Sequence, residues 1–274
     1  MGQDTLPLQL PTERMAYNTL QLAYDAGIAT LTFNRPEKRN AISFQLIDEL
    51  MSALAEVAQS QAGVLIVTGA GKAFCSGMDL EDLQGLIGRS SEQNKKDSET
   101  MAKMFRTLYE FPKPSIAAVN GAALAGGTGI ATLCDFTLAV PEAKFGYTEV
   151  KIGFIPAIVS SFLLRQVGEK QARDLLLTGR IIDPDDAQRL GLVNEIVEPE
   201  KLMQHARDLA TQLMQNSPAS LRASKRLLSV YARSNLDSQL TTAIEENAAI
   251  RQTEDFREGV SSFLEKRKPN WTGK

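Results

Sequence analysis

Histidine is nearly missing from this chain, with His205 alone among 274 residues, and cysteine is held to two, Cys75 and Cys134. That scarcity argues against a Ser-His-Asp triad, a zinc site and a disulfide framework, and it suits a reducing compartment. No metal site is expected. Also absent are an apolar run long enough to cross a bilayer and a basic-then-apolar leader, so the expected location is cytoplasmic, with no membrane partner. Charge of one sign is lacking too: 30 Lys and Arg stand against 33 Asp and Glu, a net charge of -3 with the signs interspersed. Without a basic stripe, nucleic acid is not an expected partner. His205 itself falls in the polar helical pattern Lys201–Gln215 and reads as a surface side chain.

What is present is the mixed composition of a water-exposed globule, long enough for one large α/β domain with an appendage. Residues 1–16 carry Pro7 and Pro11 without periodicity and read as a flexible tail. Asn18–Tyr24 and Ile28–Asn34 alternate around Asp25-Ala26-Gly27, which predicts a hairpin. Ser43 caps a helix expected to run to about Gln59, with Leu46, Ile47, Leu50, Leu54 and Val57 at helical spacing. Val64–Thr68, Ser115–Val119 and Phe136–Val140 read as buried strands, and Gly126–Leu133 as a helix. Leu83–Thr100 is polar and punctuated by glycine, a candidate mobile cover over a pocket; a helical pattern returns at Met101–Tyr109. From Val159 onward the pattern is mainly helical: Val159–Val167, Lys170–Leu177, Pro184–Leu190, Lys201–Gln215, Pro218–Tyr231, Leu236–Thr253 and Phe256–Glu265. The expected division is a core over residues 17–198 and a helical region over 199–274.

The chemistry concentrates in three segments. Gly121–Ala131 reads GAALAGGTGIA; it lacks the G-x-G-x-x-G order, and no Lys-Ser/Thr follows as in a phosphate loop. Its small residues let a backbone N–H approach a ligand at a helix start, where developing negative charge is favoured. Gly126 is the expected donor there, and the Met78 amide, after the Ser76-Gly77 turn of KAFCSGMDL, is the expected second one. Two such donors on one oxygen form an oxyanion hole. Glu149, in Phe145-Gly146-Tyr147-Thr148-Glu149, supplies a carboxylate to move a proton beside it.

With the segment Asn34-Arg35-Pro36-Glu37-Lys38-Arg39-Asn40-Ala41 and the tail Phe263-Leu264-Glu265-Lys266-Arg267, these motifs make the chain resemble the crotonase, or enoyl-CoA hydratase/isomerase, family from about Leu20 to Lys268. The resemblance implies a spiral of β-β-α units, an acyl-CoA thioester substrate, and no cofactor beyond the coenzyme A carried by that substrate. It further implies catalysis by Glu149 with the Met78 and Gly126 amides, and CoA contacts from Lys38, Ala41, Ser76, Asp79, Leu80, Phe263 and Lys266. The C-terminal helices are expected to build a homotrimer or homohexamer.

Gly129 departs from the two-glutamate hydratases, which carry a second carboxylate at this place. Single-glutamate members include isomerases and hydratases of the methylglutaconyl-CoA type. Gly126-Gly127-Thr128-Gly129-Ile130 and the Ile-Pro-Ala segment at Ile155-Pro156-Ala157 resemble the latter branch. Lys151, Ser160, Ser161 and Arg165 are candidates for a carboxylated acyl end. The expected activity is therefore hydration of a 2-enoyl-CoA, branched or carboxylated, with an enoyl-CoA isomerase and a non-catalytic acyl-CoA-binding protein as alternatives.

Overall fold

A computed structural model describes residues 17–274; the tail expected over residues 1–16 lies outside them. β1 (Leu20–Asp25) and β2 (Ile28–Phe33) form the hairpin, turning through Ala26 and Gly27, both at positive φ as a type I′ turn requires. Ser43 caps α1 (Phe44–Gln59), its hydroxyl accepting from the Leu46 amide. Leu46, Ile47, Leu50, Leu54 and Val57 are all buried on one face, each contributing about 1.5–3 kcal/mol of transfer free energy.

β3 (Val64–Gly69), β5 (Ser115–Val119), β7 (Phe136–Ala139) and β9 (Glu195–Ile196) complete a six-stranded sheet in the order β1-β2-β3-β5-β7-β9, parallel from β2 onward. Its inner strands β3 and β5 are nearly continuous buried runs because helices cover the sheet, whereas β1 alternates. A second sheet lies alongside, made of three very short parallel strands: β4 (Ala73–Cys75), β6 (Ala122–Leu124) and β8 (Lys144–Gly146). Sequence periodicity does not reveal it.

α2 (Leu80–Gly85) and α3 (Ser91–Tyr109) correct the reading of Leu83–Thr100, which is largely helical. A capping box between Ser90 and Gln93 starts α3 ten residues before the apolar pattern does. Its polar residues Asn94 and Ser98 are buried rather than solvated.

α4 (Gly126–Leu133) follows β6 directly; α5 (Ala157–Thr178) is broken at Gly168, where φ is +75°. α6 (Pro184–Arg189) and α7 (Leu202–Met214) follow, and α7 lays Leu202, Ala206 and Ala210 into the same core as the sheet. The two helices expected over Pro218–Tyr231 and Leu236–Thr253 are one 33-residue helix, α8 (Pro218–Ile250), since no glycine or proline interrupts them. α9 (Glu254–Leu264) closes the fold. Among the described residues no helix is long and apolar enough to cross a membrane.

Candidate active site

The three strands of the small sheet end together, and the three residues expected to act lie just past those ends. Met78 follows β4, Gly126 follows β6 and Glu149 follows β8, each two or three residues beyond the last paired position. β6 is the central strand, so the Gly126 segment sits between the other two at the usual spacing of about 4.8 Å. Ligands of parallel sheets gather at this carboxyl edge.

Each segment is held by its own contacts. Ile42 N–H donates to Gly77 O (2.7 Å) and Asp79 N–H donates to Ile42 O (2.8 Å), so the backbone on either side of Met78 faces Ile42. In an extended chain the intervening Met78 amide then points the opposite way. Gly77, at φ +91°, lies against Leu124 and Ala125, which brings the two donor segments into contact. Ala125 adopts φ +50° and ψ -124°, unusual for a residue with a Cβ, and its N–H donates to Gly146 O at 2.7 Å. That turn delivers Gly126 as the first residue of α4, whose leading amides have no intrahelical partner. Thr128 anchors the arrangement from below: its hydroxyl lies 2.7 Å from Ala123 O and accepts from Gly146 N–H at 3.0 Å. Gly127 is a close-approach glycine, since a Cβ there would lie 2.1 Å from Cys75 O.

Glu149 opens a short 3-10 turn, Glu149–Ile152, and is 9% exposed. Its Oε2 has no hydrogen-bond partner. Burial pushes the carboxyl up to about 7, against a small opposing effect of its own backbone N–H. Gly153, at φ +65°, and Gly259 bring α9 against this turn, with Asp255 O and Ile152 backbone atoms where side chains would otherwise stand.

A cavity of about 830 Å³ joins these groups. Of the residues expected from sequence it is lined by Glu149, Met78, Gly126, Lys38, Ala41, Ser76, Asp79, Leu80 and Phe263. Lys266 is not among them: it lies past the end of α9 at φ +55°, with an exposed side chain. Two of the lining side chains already have partners. The Asp79 carboxylate is engaged in the scaffold, capping α2 through the Glu81 amide and pairing with Arg35 Nη2 at 2.8 Å. Burial alone would raise it, but the Glu81 N–H and Arg35 hold it below the ordinary carboxylate range. The Lys38 ammonium is paired with Glu81 at 2.5 Å, while Arg39 at the same mouth forms no ion pair with a described residue.

Of the candidates for a carboxylated acyl end, Lys151 lines the cavity but Ser160, Ser161 and Arg165 do not. Ser160 donates to Ala157 O, and Arg165 turns to Gln239 and the Ala232 carbonyl of α8. The inner wall is apolar, built from Met101, Phe105, Ile155, Ile158 and Val159. Gly129 is buried behind it: a Cβ there would lie 2.6 Å from Val159 Cγ1 and 2.9 Å from Phe105 Cε1. Among the described residues Glu149 is thus the one carboxylate of the inner cavity; Glu37, Asp79 and Glu81 belong to the mouth loops. Among the described residues no cluster of three His, Cys, Asp or Glu side chains is placed to hold a metal ion.

The model of the enoyl-CoA hydratase/isomerase family matches residues 23–274. The chain belongs to that family. It is 43% identical to a Thermus thermophilus protein named "Putative enoyl-CoA hydratase", across 89% of this chain and 97% of that one. A crotonyl-CoA hydratase of Syntrophomonas wolfei is 35% identical, across 95% and 100%. The crystal structure of an enoyl-CoA hydratase/isomerase from Xanthobacter autotrophicus Py2 superposes with a TM-score of 0.85 at 28% identity, covering 92% of this chain and 98% of that one. Sequence reasoning missed several parts of the enoyl-CoA hydratase/isomerase site: the Arg35–Asp79 pair, Thr128 beneath both loops, and Asn247 of α8 on the cavity wall. Their contacts span up to 149 residues of chain, so no local pattern announces them.

Proposed function

We propose that this enzyme adds water across the double bond of a 2-enoyl-CoA thioester. The observation that carries the reading is the buried Glu149 carboxyl, its Oε2 without a hydrogen bond to any described residue, beside the Met78 and Gly126 segments at one sheet edge. The Glu149 carboxylate takes a proton from water as the hydroxyl bonds to C3. The displaced electron pair moves onto the thioester oxygen, held by the Met78 and Gly126 amides. When the pair returns, C2 takes the proton back from Glu149. One carboxylate therefore handles both protons, which agrees with the closed wall at Gly129. Each oxyanion donor is worth about 3–4 kcal/mol to such a state.

The CoA would lie across the mouth, against Lys38, Arg39, Ala41, Ser76, Leu80 and Phe263, with no cofactor of its own. Phe263 is 51% exposed there and offers a flat apolar face. The same single carboxylate supports a second reading, migration of the double bond between C2 and C4, for which water is not needed. Turnover of 2- and 3-enoyl-CoA thioesters in isotopically labelled water separates them. Labelled oxygen in the product supports the hydratase; bond migration with hydrogen exchange alone would replace it with the isomerase. We further propose a homotrimer or homohexamer, supported by the exposed Leu227, Leu228, Val230 and Tyr231 on the first half of α8.

A further inference from the structure

Asn247 of α8 is the single carboxamide on the cavity wall and is 5% exposed. Its Oδ1 accepts from Ser98 Oγ at 2.8 Å and from Arg251 Nη2 at 2.7 Å, which fixes the amide orientation. No hydrogen bond from Nδ2 to any described residue competes for its two protons.

Ser98 leads to the reacting end along one face of α3. Ser98, Met101 and Phe105 recur at helical spacing, and Phe105 Cζ lies 3.6 Å from where a Gly126 Cβ would stand. Seven residues of helix separate Phe105 from Ser98, about 10 Å. Asn247, bonded to Ser98, therefore lines the cavity about 10 Å along α3 from the Phe105 that meets Gly126.

Behind Asn247 the charges do not balance. Arg89 and Arg251 share one described carboxylate, Asp97, the latter at 3.6 Å. Arg251 is buried, sits 5.4 Å over the Phe154 ring of the cavity wall, and leaves Nε and Nη1 without hydrogen bonds. Burial lowers its affinity for the proton, Asp97 opposes that and Arg89 adds to it; at about 10 it remains charged at neutral pH. Asn94, one turn before Ser98, is also buried with neither amide atom bonded. Buried polar groups are seldom left this way, and a bound water or a polar group of a ligand would meet these.

We propose that this end of the cavity selects acyl groups terminating in a carboxylate, with Asn247 Nδ2 donating to it and the surplus charge of Arg89, Asp97 and Arg251 favouring it over a methyl end. The inference rests on the acyl-CoA reading of the site and replaces Ser160, Ser161 and Arg165 as the recognising groups.

The test uses two unreactive saturated thioesters of equal length, adipyl-CoA and hexanoyl-CoA, titrated calorimetrically into the full-length protein. Adipyl-CoA is expected to bind at least tenfold more tightly. Asn247→Asp, nearly isosteric and placed to pair with Arg251, is expected to remove that preference. Asn247→Ser provides a second variant should the first lose its thermal transition; it is expected to weaken the preference at least threefold. Equal binding by the wild-type protein, or a preference unchanged in the folded variants, would overturn the proposal while leaving the acyl-CoA site intact. Failure to bind either thioester would overturn both.

Discussion

Gly129 and Val159 are mutually exclusive occupants of one space: the Cβ of any larger residue at 129 would lie 2.6 Å from Val159 Cγ1. Gly129→Ala should cost about 1–3 kcal/mol by overpacking. Shortening the neighbour in the double variant Gly129→Ala/Val159→Ala should recover part of that loss. Urea unfolding of the four proteins of this cycle measures it; strictly additive costs would mean that the two positions do not share the space.

Glu149→Gln keeps the shape of the side chain and removes its proton chemistry. Turnover is expected to fall 10²–10⁴-fold, with the affinity for a saturated acyl-CoA changing less than threefold. Steady-state kinetics with parallel binding titrations decide it, and an equal loss in both would make Glu149 structural.

The elevated carboxyl also predicts two pH dependences. Because catalysis starts from the ionised form, kcat/KM should decline as pH falls below about 7. Stability runs the other way: the folded state holds the Glu149 proton more tightly than the unfolded chain, so this contribution is fully present below about 4.5 and is lost as pH rises through 7. The gain in stability from Glu149→Gln should therefore be larger at pH 8 than at pH 4, by about 1–3 kcal/mol. Denaturant midpoints at the two pH values test it, and a gain independent of pH would contradict the raised carboxyl.

Arg35→Ala strands a buried Asp79 carboxylate and frees the Ala41 carbonyl from its 3.0 Å donor. A loss of about 2–4 kcal/mol is expected, smaller in Arg35→Ala/Asp79→Asn than in Arg35→Ala alone. Thermal melts of the set provide the comparison.

Charge placed on the exposed α8 face should break the proposed assembly. Leu228→Glu is expected to shift sedimentation from three or six chains toward one without loss of helical circular dichroism. A single-chain wild-type protein would remove the assembly altogether.

Much of this molecule is legible because long apolar periods survive translation into structure. The α1 stripe from Leu46 to Val57 and the buried run Val64–Thr68 stand where the residues place them. The small sheet is not legible, because Ala73–Cys75, Ala122–Leu124 and Lys144–Gly146 are too short to show a period. The residues proposed to react, Gly126, Met78 and Glu149, come instead from motifs with a recognisable order. Polar residues inside α3 misled in the opposite sense: Asn94 and Ser98 lie in the stretch read as a mobile cover and are buried, Ser98 against Asn247 of α8. Lys266 lies outside the cavity lining, and a basic residue near a C-terminus carries no information about which way it turns.

Ala125 makes a last point about how such a pocket is kept ready. Its φ of +50° is costly for a side chain with a Cβ, by about 1–3 kcal/mol, and the Gly146 and Gly129 hydrogen bonds hold it there. A chain section wound in this way behaves like a set spring: on the proposed reading the neighbouring Gly126 amide is set before any thioester arrives, and binding need not spend its own free energy on setting it.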